Sequence, residues 1–371
     1  MDPLPSVSIV TVLHNWEDFY GSLKHQWDII DYPKEKLEWI IVDDSKEKHS
    51  HLMPLDDNIL YIKVNPEEYL EKIEFKKDED KIIWNYHNIM KILPIGFKRD
   101  YAVGMTSHEY IFHMDVDTYY QPKAIKRKVN FLQKQKLECV YCKSMLCYDI
   151  YNDKIYKTEN SISGYPSTLC YTKQFWEKGG FEWSDTTDNS SLFYYNKGLD
   201  RVLDNYYDTI KLLSVHNMNM YQPKEISIEN LEISIPEYIK GINIEKHPVS
   251  EQLYDLFYDK KDKEIQVISI NSEIIKPLSN ENWKVTEIEY KKKEKEKSLI
   301  KKIKETSINY QLCVLNVSFP IWNLFKSVKF PYLIIENMKN REQMHHILLE
   351  NKYHYFENIY INIDSVLENK I

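Results

Sequence analysis

The sequence predicts an α/β protein in which residues 1–225 form a domain around a mixed, mainly parallel sheet and a smaller α/β domain follows. Three observations lead to this prediction. Short β-branched runs alternate with segments of helical periodicity from the N-terminus onward. Polar and acidic residues come directly after several of these runs, and the same alternation resumes near residue 264. Strands that alternate with helices are typical of parallel pairing through right-handed crossovers.

The first elements are three strands and one helix. A β-branched run bounded by Pro5 predicts a buried first strand. In the helix that follows, Phe19, Leu23, Trp27 and Ile30 recur on one face. The predicted ranges are 6–13, 38–42 and 59–64 for the strands and 17–30 for the helix.

The next unit surrounds a pair of aspartates. A helix over 95–107 precedes a strand over 109–114, and Asp115-Val116-Asp117 comes directly after that strand. Pro122 is expected to open another helix, because its fixed φ suits the first helical turn. The remaining predicted elements of this domain are strands over 138–148, 169–172 and 209–215 and a helix over 188–198.

A connecting segment is predicted over 226–263, and the smaller domain over 264–371. Its predicted strands are 265–270, 283–290, 311–317 and 332–336, and its helices are 298–306 and 341–351. The lysine-rich run 291–304 is interrupted by glutamates, a pattern that favours a solvated helix face over a membrane-binding patch.

Composition restricts the function further. In 371 residues with a formal net charge of −8, we expect no broad binding to nucleic acid, which requires clustered positive charge. No stretch approaches the roughly 20 apolar residues that span a bilayer, and the N-terminus lacks the pattern of a secretory signal. We therefore expect a cytoplasmic protein without a transmembrane segment.

The five cysteines are predicted to be reduced core thiols. Their number is odd and their spacing irregular, which does not suggest a disulfide framework. Cys139-x-x-Cys142 resembles half of a zinc site, but no second pair at ligand spacing accompanies it.

Asp115-Val116-Asp117 is the segment with the clearest chemical meaning. Two carboxylates two positions apart, at the end of a buried strand, can form an oxygen-ligand site for Mg²⁺ or Mn²⁺ that carries a diphosphate. The alternative is an acidic turn, since strands often end in one.

Four segments in fixed order decide between these alternatives. They are SIVTVLHN (8–15), WIIVDDS (39–45), IGFKRDYAV (95–103) and EYIFHMDVDTYYQP (109–122). Together they resemble glycosyltransferase family 2, whose fold is the GT-A type nucleotide-sugar-binding domain. The resemblance covers roughly residues 6–222. It implies a metal-dependent inverting glycosyltransferase that moves a hexose or N-acetylhexosamine from a UDP-sugar to a glycan or protein hydroxyl.

The resemblance also implies a role for individual residues. The nucleotide-sugar donor would contact the ends of the first strands, the helix that follows and the first aspartate of the pair. Asp117 would ligate Mn²⁺ or Mg²⁺. His216, after the last strand, would be a further ligand, with a structural role as the alternative. The implied donor-binding residues are Thr11, Leu13, Asn15, Asp44, Lys98, Arg99 and Asp115.

An inverting transfer also needs a carboxylate that removes the proton of the acceptor hydroxyl. In the family this base follows a Gly-Gly-Phe-like loop, at the start of a helix. The chain has Gly179-Gly180-Phe181 and then Asp188, which we choose as the catalytic base. Asp185 and Glu182 are the alternatives, because the family's usual Glu-Asp pair is Thr187-Asp188 here. An N-cap role for Asp188 is the structural alternative.

Aromatic side chains are expected to shape the acceptor side, since sugar rings stack on them. The candidates are Tyr119, Tyr120, Trp176 and Trp183. In a chain with 13% aromatic residues, the alternative for each of them is a place in the core.

The second domain resembles a degenerate Rossmann-like methyltransferase domain at FPYLIIENM (330–338) and KYHYF (352–356). The glycine-rich turn that a methyl donor requires does not follow its first strand. We interpret the domain as structural, as a surface for homo-oligomerisation or as an acceptor-presenting module. The richness in Lys, Ile, Asn and Tyr is typical of AT-rich genomes and suggests a large DNA virus as the source.

Two other functions are compatible with parts of the sequence. A nucleotidyltransferase acting on a sugar phosphate also pairs carboxylates with a metal, but it usually has a glycine-rich loop after the first strand, where this chain has LHNW (13–16). A non-catalytic glycan-binding module would bind sugar without UDP or metal.

Overall fold

The protein is described here by a computed structural model. It describes residues 4–15, 17–73, 87–150, 153–158, 164–184, 193, 208–213, 224–225, 235–240, 264–272, 283–291, 296–306, 308, 310–316, 323–337, 348, 351–356, 359–362 and 365–366. Contacts between Cα atoms group the chain into two compact units, Met1–Lys76 with Lys91–His247 and Lys77–Met90 with Pro248–Ile371.

The first unit contains eleven described strands. They are β1 (Val7–Leu13), β2 (Leu37–Asp43), β3 (Ile59–Lys63), β4 (Tyr110–His113), β5 (Thr118–Tyr120), β6 (Cys139–Val140), β7 (Leu146–Asp149), β8 (Lys154–Lys157), β9 (Cys170–Thr172), β10 (Thr209–Leu213) and β11 (Lys224–Glu225). Its described α-helices are α1 (Glu17–Ile29), α2 (Glu67–Leu70), α3 (Ile95–Gly104), α4 (Ala124–Gln135), α5 (Lys173–Glu177) and α6 (Glu237–Lys240). Short 3-10 turns lie at Lys34–Lys36, Ser50–Leu52 and Pro166–Thr168.

The main sheet has the strand order β3-β2-β1-β4-β9-β6. β3, β2, β1 and β4 are parallel, whereas β9 pairs antiparallel with both β4 and β6. The prediction of a mixed, mainly parallel α/β sheet is therefore confirmed. Because the parallel strands end at one edge, the residues that follow β1, β2 and β4 lie together there.

Both faces of this sheet are buried. Ile9 and Trp39 belong to one apolar cluster, and their chain neighbours Val10 and Ile40 belong to another. α1 packs into the first cluster with the predicted residues Phe19, Leu23 and Trp27, and α3 packs into the second through Phe97, Ala102 and Val103. A parallel sheet covered by helices on both faces explains why these strands are apolar runs without alternation.

A second sheet of the same unit has the order β11-β8-β7-β10-β5. β10 lies between β7 and β5, antiparallel to β5 and parallel to β7. Since β5 follows the Asp115–Asp117 turn directly, β10 lies beside that turn.

Two predictions for this unit were wrong in detail. The single strand predicted over 138–148 is two strands in different sheets, β6 and β7, because five residues between them carry the chain from one sheet to the other. Pro122 lies before the N-cap of α4, Lys123, so it precedes the helix rather than opening its first turn. The helix predicted over 188–198 lies outside the described residues except for Phe193.

The second unit is a smaller α/β structure. Its strands are β12 (Ile265–Ile270), β13 (Trp283–Ile288), β14 (Leu312–Asn316), β15 (Tyr332–Asn337), β16 (Tyr353–Phe356) and β17 (Ile359–Asn362), in the order β13-β12-β14-β15-β17-β16. Its described helices are α7 (Glu296–Glu305) and α8 (Leu324–Ser327). The first four strands of the order are parallel, and β17 is antiparallel to both of its neighbours. Leu299 and Ile303 of α7 are buried in its core.

The turn after β12 is closed by one side chain. Asn271 has a positive φ of 55°, and its amide donates to the carbonyl of Tyr290 at 2.7 Å and accepts from the Tyr290 N–H at 2.8 Å. Both polar groups of the Asn271 side chain are thus engaged at the place where a methyl-donor site would need open backbone.

Within the described part of the chain, no helix combines the length and apolarity needed to cross a bilayer.

Candidate active site

The candidate site lies at the carboxyl edge of the parallel strands. His14 and Asn15 follow β1, Asp44 follows β2, and Met114 to Asp117 follow β4. The chain turns sharply after β1, where Asn15 has a φ of 47° and its N–H donates to the hydroxyl of Ser45 at 2.7 Å. This hydrogen bond ties the ends of β1 and β2 together.

Asp44 is a buried carboxylate with three described partners. One oxygen accepts from Lys98 Nζ at 2.9 Å and is 3.0 Å from His14 Nδ1, and the other accepts from the backbone N–H of Leu93 at 2.7 Å. Burial alone would raise the pKa of the carboxyl, but the positive charges of Lys98 and His14 outweigh it and hold the pKa well below its usual range. Asp44 is therefore ionised throughout the neutral range and fixes Lys98 and His14 at this edge.

Lys98 and Arg99 are consecutive residues of α3 that reach different strand ends. Lys98 bonds to Asp44 beyond β2, while the guanidinium of Arg99 lies 3.9 Å from the carboxylate of Asp115 beyond β4. Both side chains are buried. Two buried basic groups thus lie at the carboxyl edge of the strands, each beside a carboxylate. Their role in donor binding stays a prediction.

Thr11 and Leu13 face inward rather than toward the edge. The Thr11 hydroxyl donates to the carbonyl of Met114 at 2.6 Å and accepts from the indole N–H of Trp39 at 2.9 Å. The side chain of Leu13 is buried in the core, and its carbonyl accepts from Asp44 N–H at 3.4 Å. The contacts of Thr11 position the turn after β4, and the Leu13 carbonyl helps to hold Asp44 at the end of β2.

The turn Asp115–Val116–Asp117 is held from both sides. The Met114 N–H donates to the carbonyl of Val10 at 2.9 Å, and the Asp117 carbonyl accepts from the N–H of Leu212 at 2.9 Å. The hydroxyl of Tyr120 accepts from the Asp115 N–H at 2.9 Å and donates to the Ser167 carbonyl at 2.9 Å. The two carboxylates therefore have a fixed backbone between β1 and β10.

Lys211 of β10 brings a positive charge to both carboxylates. Its ammonium donates to Asp117 Oδ1 at 2.6 Å and lies 4.0 Å from Asp115 Oδ2. The side chains of Lys211 and Asp117 are only 6% and 7% exposed, so this ion pair is buried. Lys211 is not among the site residues predicted from the sequence. A lysine inside a mostly apolar strand is nevertheless a usable signal, because buried charges are paired.

The described donor atoms do not fit a directly coordinated divalent metal while Lys211 stays in place. Mg²⁺ binds a carboxylate oxygen at about 2.0–2.1 Å, and the ammonium already occupies Asp117 Oδ1. Among the described residues, no group of three or more His, Cys, Asp and Glu side chains is arranged to hold a metal. His216 lies outside the described residues, so its role as a ligand stays a prediction.

The segment predicted to form the acceptor side is described as far as Ser184. Asp100 of α3 organises it, accepting from the indole N–H groups of Trp176 at 2.6 Å and Trp183 at 2.7 Å and from the Phe181 N–H at 2.9 Å. Trp183 is 43% exposed and packs edge-on against Phe97. Its ring is therefore both held in place and open to a ligand.

The other candidates for this side fall into two groups. Tyr119 and Tyr120 are buried in the core, which is the alternative placement predicted for these aromatic residues. Glu182 is part-buried beside the hydroxyl of Ser184 at 3.4 Å. Asp185 and Asp188 lie outside the described residues, and the choice of Asp188 as base stays a prediction.

Comparisons with known proteins show slight likeness only. No family model matches the chain, and no curated protein matches it. Among solved structures, S. aureus TarS 1-349 is 16% identical, with 69% of this chain and 73% of that chain covered and a TM-score of 0.38. The same protein in complex with UDP-GlcNAc is 15% identical over 68% and 73% of the two chains, with a TM-score of 0.39.

A further solved structure is the mannosyltransferase PcManGT from Pyrobaculum calidifontis in complex with GDP-Man and Mn²⁺. It is 13% identical, with 58% of this chain and 60% of that chain covered and a TM-score of 0.35. Likeness at this level does not bear on the activity of the present chain.

Proposed function

We propose that this protein is an inverting glycosyltransferase with a GT-A arrangement, which transfers a sugar from a UDP-sugar to a hydroxyl of a glycan or protein. One observation supports it most. The Asp115–Val116–Asp117 turn lies at the carboxyl edge of the parallel strands, between the buried cations Arg99 and Lys211. Ligands of open α/β sheets bind at this edge, and an anionic diphosphate is favoured beside fixed positive charges.

In the proposed reaction, the acceptor oxygen forms a bond to the anomeric carbon while the bond from that carbon to the donor phosphate oxygen breaks. The nucleoside diphosphate leaves with the bonding electron pair, and Arg99 and Lys211 stabilise the charge that develops on it. A carboxylate accepts the proton of the acceptor hydroxyl as the new bond forms. Asp188 is our choice for that base, with Asp185 and Glu182 as alternatives.

The donor-binding residues would contribute in two ways. Asp115 and the backbone of Leu13 and Asn15 lie at the edge where the nucleotide would approach. Asp44, Lys98 and Thr11 are already engaged within the protein, and we assign them to holding that edge in shape. The predicted Mn²⁺ or Mg²⁺ on Asp117 and His216 requires Lys211 to leave Asp117.

The test is donor binding followed by turnover. We expect UDP, a UDP-hexose and a UDP-N-acetylhexosamine to raise the melting temperature, because a ligand at about 100 times its Kd stabilises the folded state by about 2.7 kcal/mol. UDP release from the correct UDP-sugar should follow. If UDP and both UDP-sugars leave the melting temperature unchanged, the protein does not use this donor class.

The base is tested separately. Asp188→Asn should abolish transfer and leave the Kd for UDP-sugar unchanged, because the residue is assigned to the acceptor proton and not to the donor. Glu182→Gln serves as the matched variant on the same segment. Full activity in Asp188→Asn combined with loss in Glu182→Gln would move the role to Glu182.

A further inference from the structure

Lys211 is held beside the aspartate pair by the sheet itself. On β10 it is in register with Thr118 of β5 and with Cys147 of β7, so strands pair with it on both sides. The next residue, Leu212, donates its N–H to the carbonyl of Asp117. The ammonium is therefore brought to Asp117 by the backbone ladder and not by a mobile surface side chain.

The position of the ammonium is the one that a bridging cation would take. It is 2.6 Å from Asp117 Oδ1 and 4.0 Å from Asp115 Oδ2, and so contacts the pair from between them. A divalent ion on Asp117 would share the carboxylate with the ammonium, and the two positive charges would repel each other at close range in this buried setting. Lys211 and a directly coordinated metal therefore compete for Asp117.

Among the described residues of the cluster, positive and negative charges are equal in number. Arg99 and Lys211 supply two positive charges, and Asp115 and Asp117 supply two negative charges. An ammonium carries three N–H donors and a guanidinium five, more than the described contacts with the aspartates use. Bonds between such ionised groups are shorter and stronger than neutral ones.

We propose that Lys211 is the built-in cation of the Asp115–Val116–Asp117 turn, and that Lys211 and Arg99 bind the donor diphosphate without a directly coordinated divalent metal. This inference rests on the proposed function. It makes Asp117 a positioning residue that holds Lys211, whereas Lys211 itself contacts the donor.

The deciding experiment is titration calorimetry of UDP into the native protein, in excess EDTA and again in Mn²⁺. The Kd is expected to agree within about threefold between the two conditions, because the positive charge is part of the protein. Binding that appears only with Mn²⁺ overturns the inference and leaves the proposed function standing. No binding in either condition overturns both.

Variants at Lys211 give a second measurement. Lys211→Met should weaken UDP binding in EDTA by roughly tenfold or more, the loss expected for a charge-assisted hydrogen bond. Lys211→Arg should recover most of it, and Lys154→Met, which changes an exposed lysine of the same sheet, should bind like the native protein. Circular dichroism checks that each variant is folded.

The affinity for Mn²⁺ alone, measured by electron paramagnetic resonance, does not depend on activity or on UDP. Removing the competing ammonium in Lys211→Met should raise this affinity roughly tenfold or more. Equal Mn²⁺ affinity in the native protein and in the folded Lys211→Met variant would overturn the inference, because Lys211 would then not occupy the cation position.

Discussion

At the scale of single residues, the candidate site consists of carboxylates that are each matched with a cation. Asp44 faces Lys98, Asp115 faces Arg99, and Asp117 faces Lys211. Removing one member of a buried pair leaves the other charge uncompensated, which destabilises more than the pair itself stabilises. Substitutions at these positions therefore need a stability measurement beside any measurement of activity.

Asp44→Asn should lower the free energy of unfolding at pH 7 by about 3 kcal/mol, because Lys98 would remain buried without its counter-charge. The pH dependence should change as well. The pKa of Asp44 is held below its usual range, so below about pH 4 the unfolded chain takes up a proton that the folded protein does not. The stability that Asp44 contributes is therefore present at neutral pH and lost as the pH falls toward the folded pKa.

Urea unfolding of the native protein and of Asp44→Asn across the acid range measures this difference. The variant should show a shallower loss of stability with falling pH. Asp57→Asn, at an exposed position, is the control and should keep the native slope. An acid slope in Asp44→Asn equal to that of the native protein would contradict the assignment of the shifted pKa to this carboxyl.

At the scale of elements, the segment after α5 is fixed to α3 through Asp100. Gly180 lies against the same carboxylate with a φ of 58°, and a Cβ added there would lie 2.5 Å from Asp100 Oδ1. A side chain at position 180 is disfavoured for two reasons. The backbone is left-handed there, and a Cβ would come too close to the Asp100 carboxylate. The loop that carries Trp183 depends on both the left-handed backbone of Gly180 and its contact with Asp100.

Gly180→Ala should destabilise the protein by about 2 kcal/mol, since the left-handed conformation alone costs roughly 1–2 kcal/mol. Displacing Asp100 should also lower the rate of transfer while the Kd for UDP stays unchanged. Thermal unfolding and UDP titration measure the two effects.

Gly21→Ala is the matched control, because the position lies in α1 and an added Cβ meets nothing within 4 Å. It should stabilise by up to about 1 kcal/mol through helix propensity. Equal and small effects of both substitutions would show that Gly180 is under no strain.

At the scale of the whole molecule, every cysteine of the chain is buried and free. Four lie in the first unit and Cys313 lies in the second. Burial raises the pKa of Cys147 and of Cys170 to about 12, although neighbouring lysines oppose it. Because the thiolate is the reactive form, the thiols are protected by both inaccessibility and protonation.

A thiol reagent such as Ellman's reagent should therefore react with the native protein at pH 8 only as fast as it unfolds. Denaturant-unfolded protein should release five equivalents at once, which provides the control for counting. Rapid reaction of any thiol in the native protein would contradict the packing of the strand that carries it. Identifying the modified peptide would show which unit is open.

Much of the first unit follows from local sequence. The face of α1 with Phe19, Leu23 and Trp27 is buried as predicted, because helical periodicity is a property of neighbouring residues. The parallel pairing of β1 with β2 and β4 also follows, since strands joined through a helix pair in parallel by a right-handed crossover. These two rules place Asp44 and the Asp115–Val116–Asp117 turn at the same edge of the sheet.

Which sheet a strand joins, and which charged side chains pair, could not be predicted without the tertiary structure. The apolar run over 138–148 is divided between two sheets, and apolarity alone does not say which sheet a strand joins. Lys211 and Asp117 are 94 residues apart, and nothing in the spacing of either pairs them. Local sequence is sufficient to predict which residues form the edge and which carboxylates lie there. The cation that faces each carboxylate follows from the fold of the unit, because a buried charge finds its partner through the packing of distant strands.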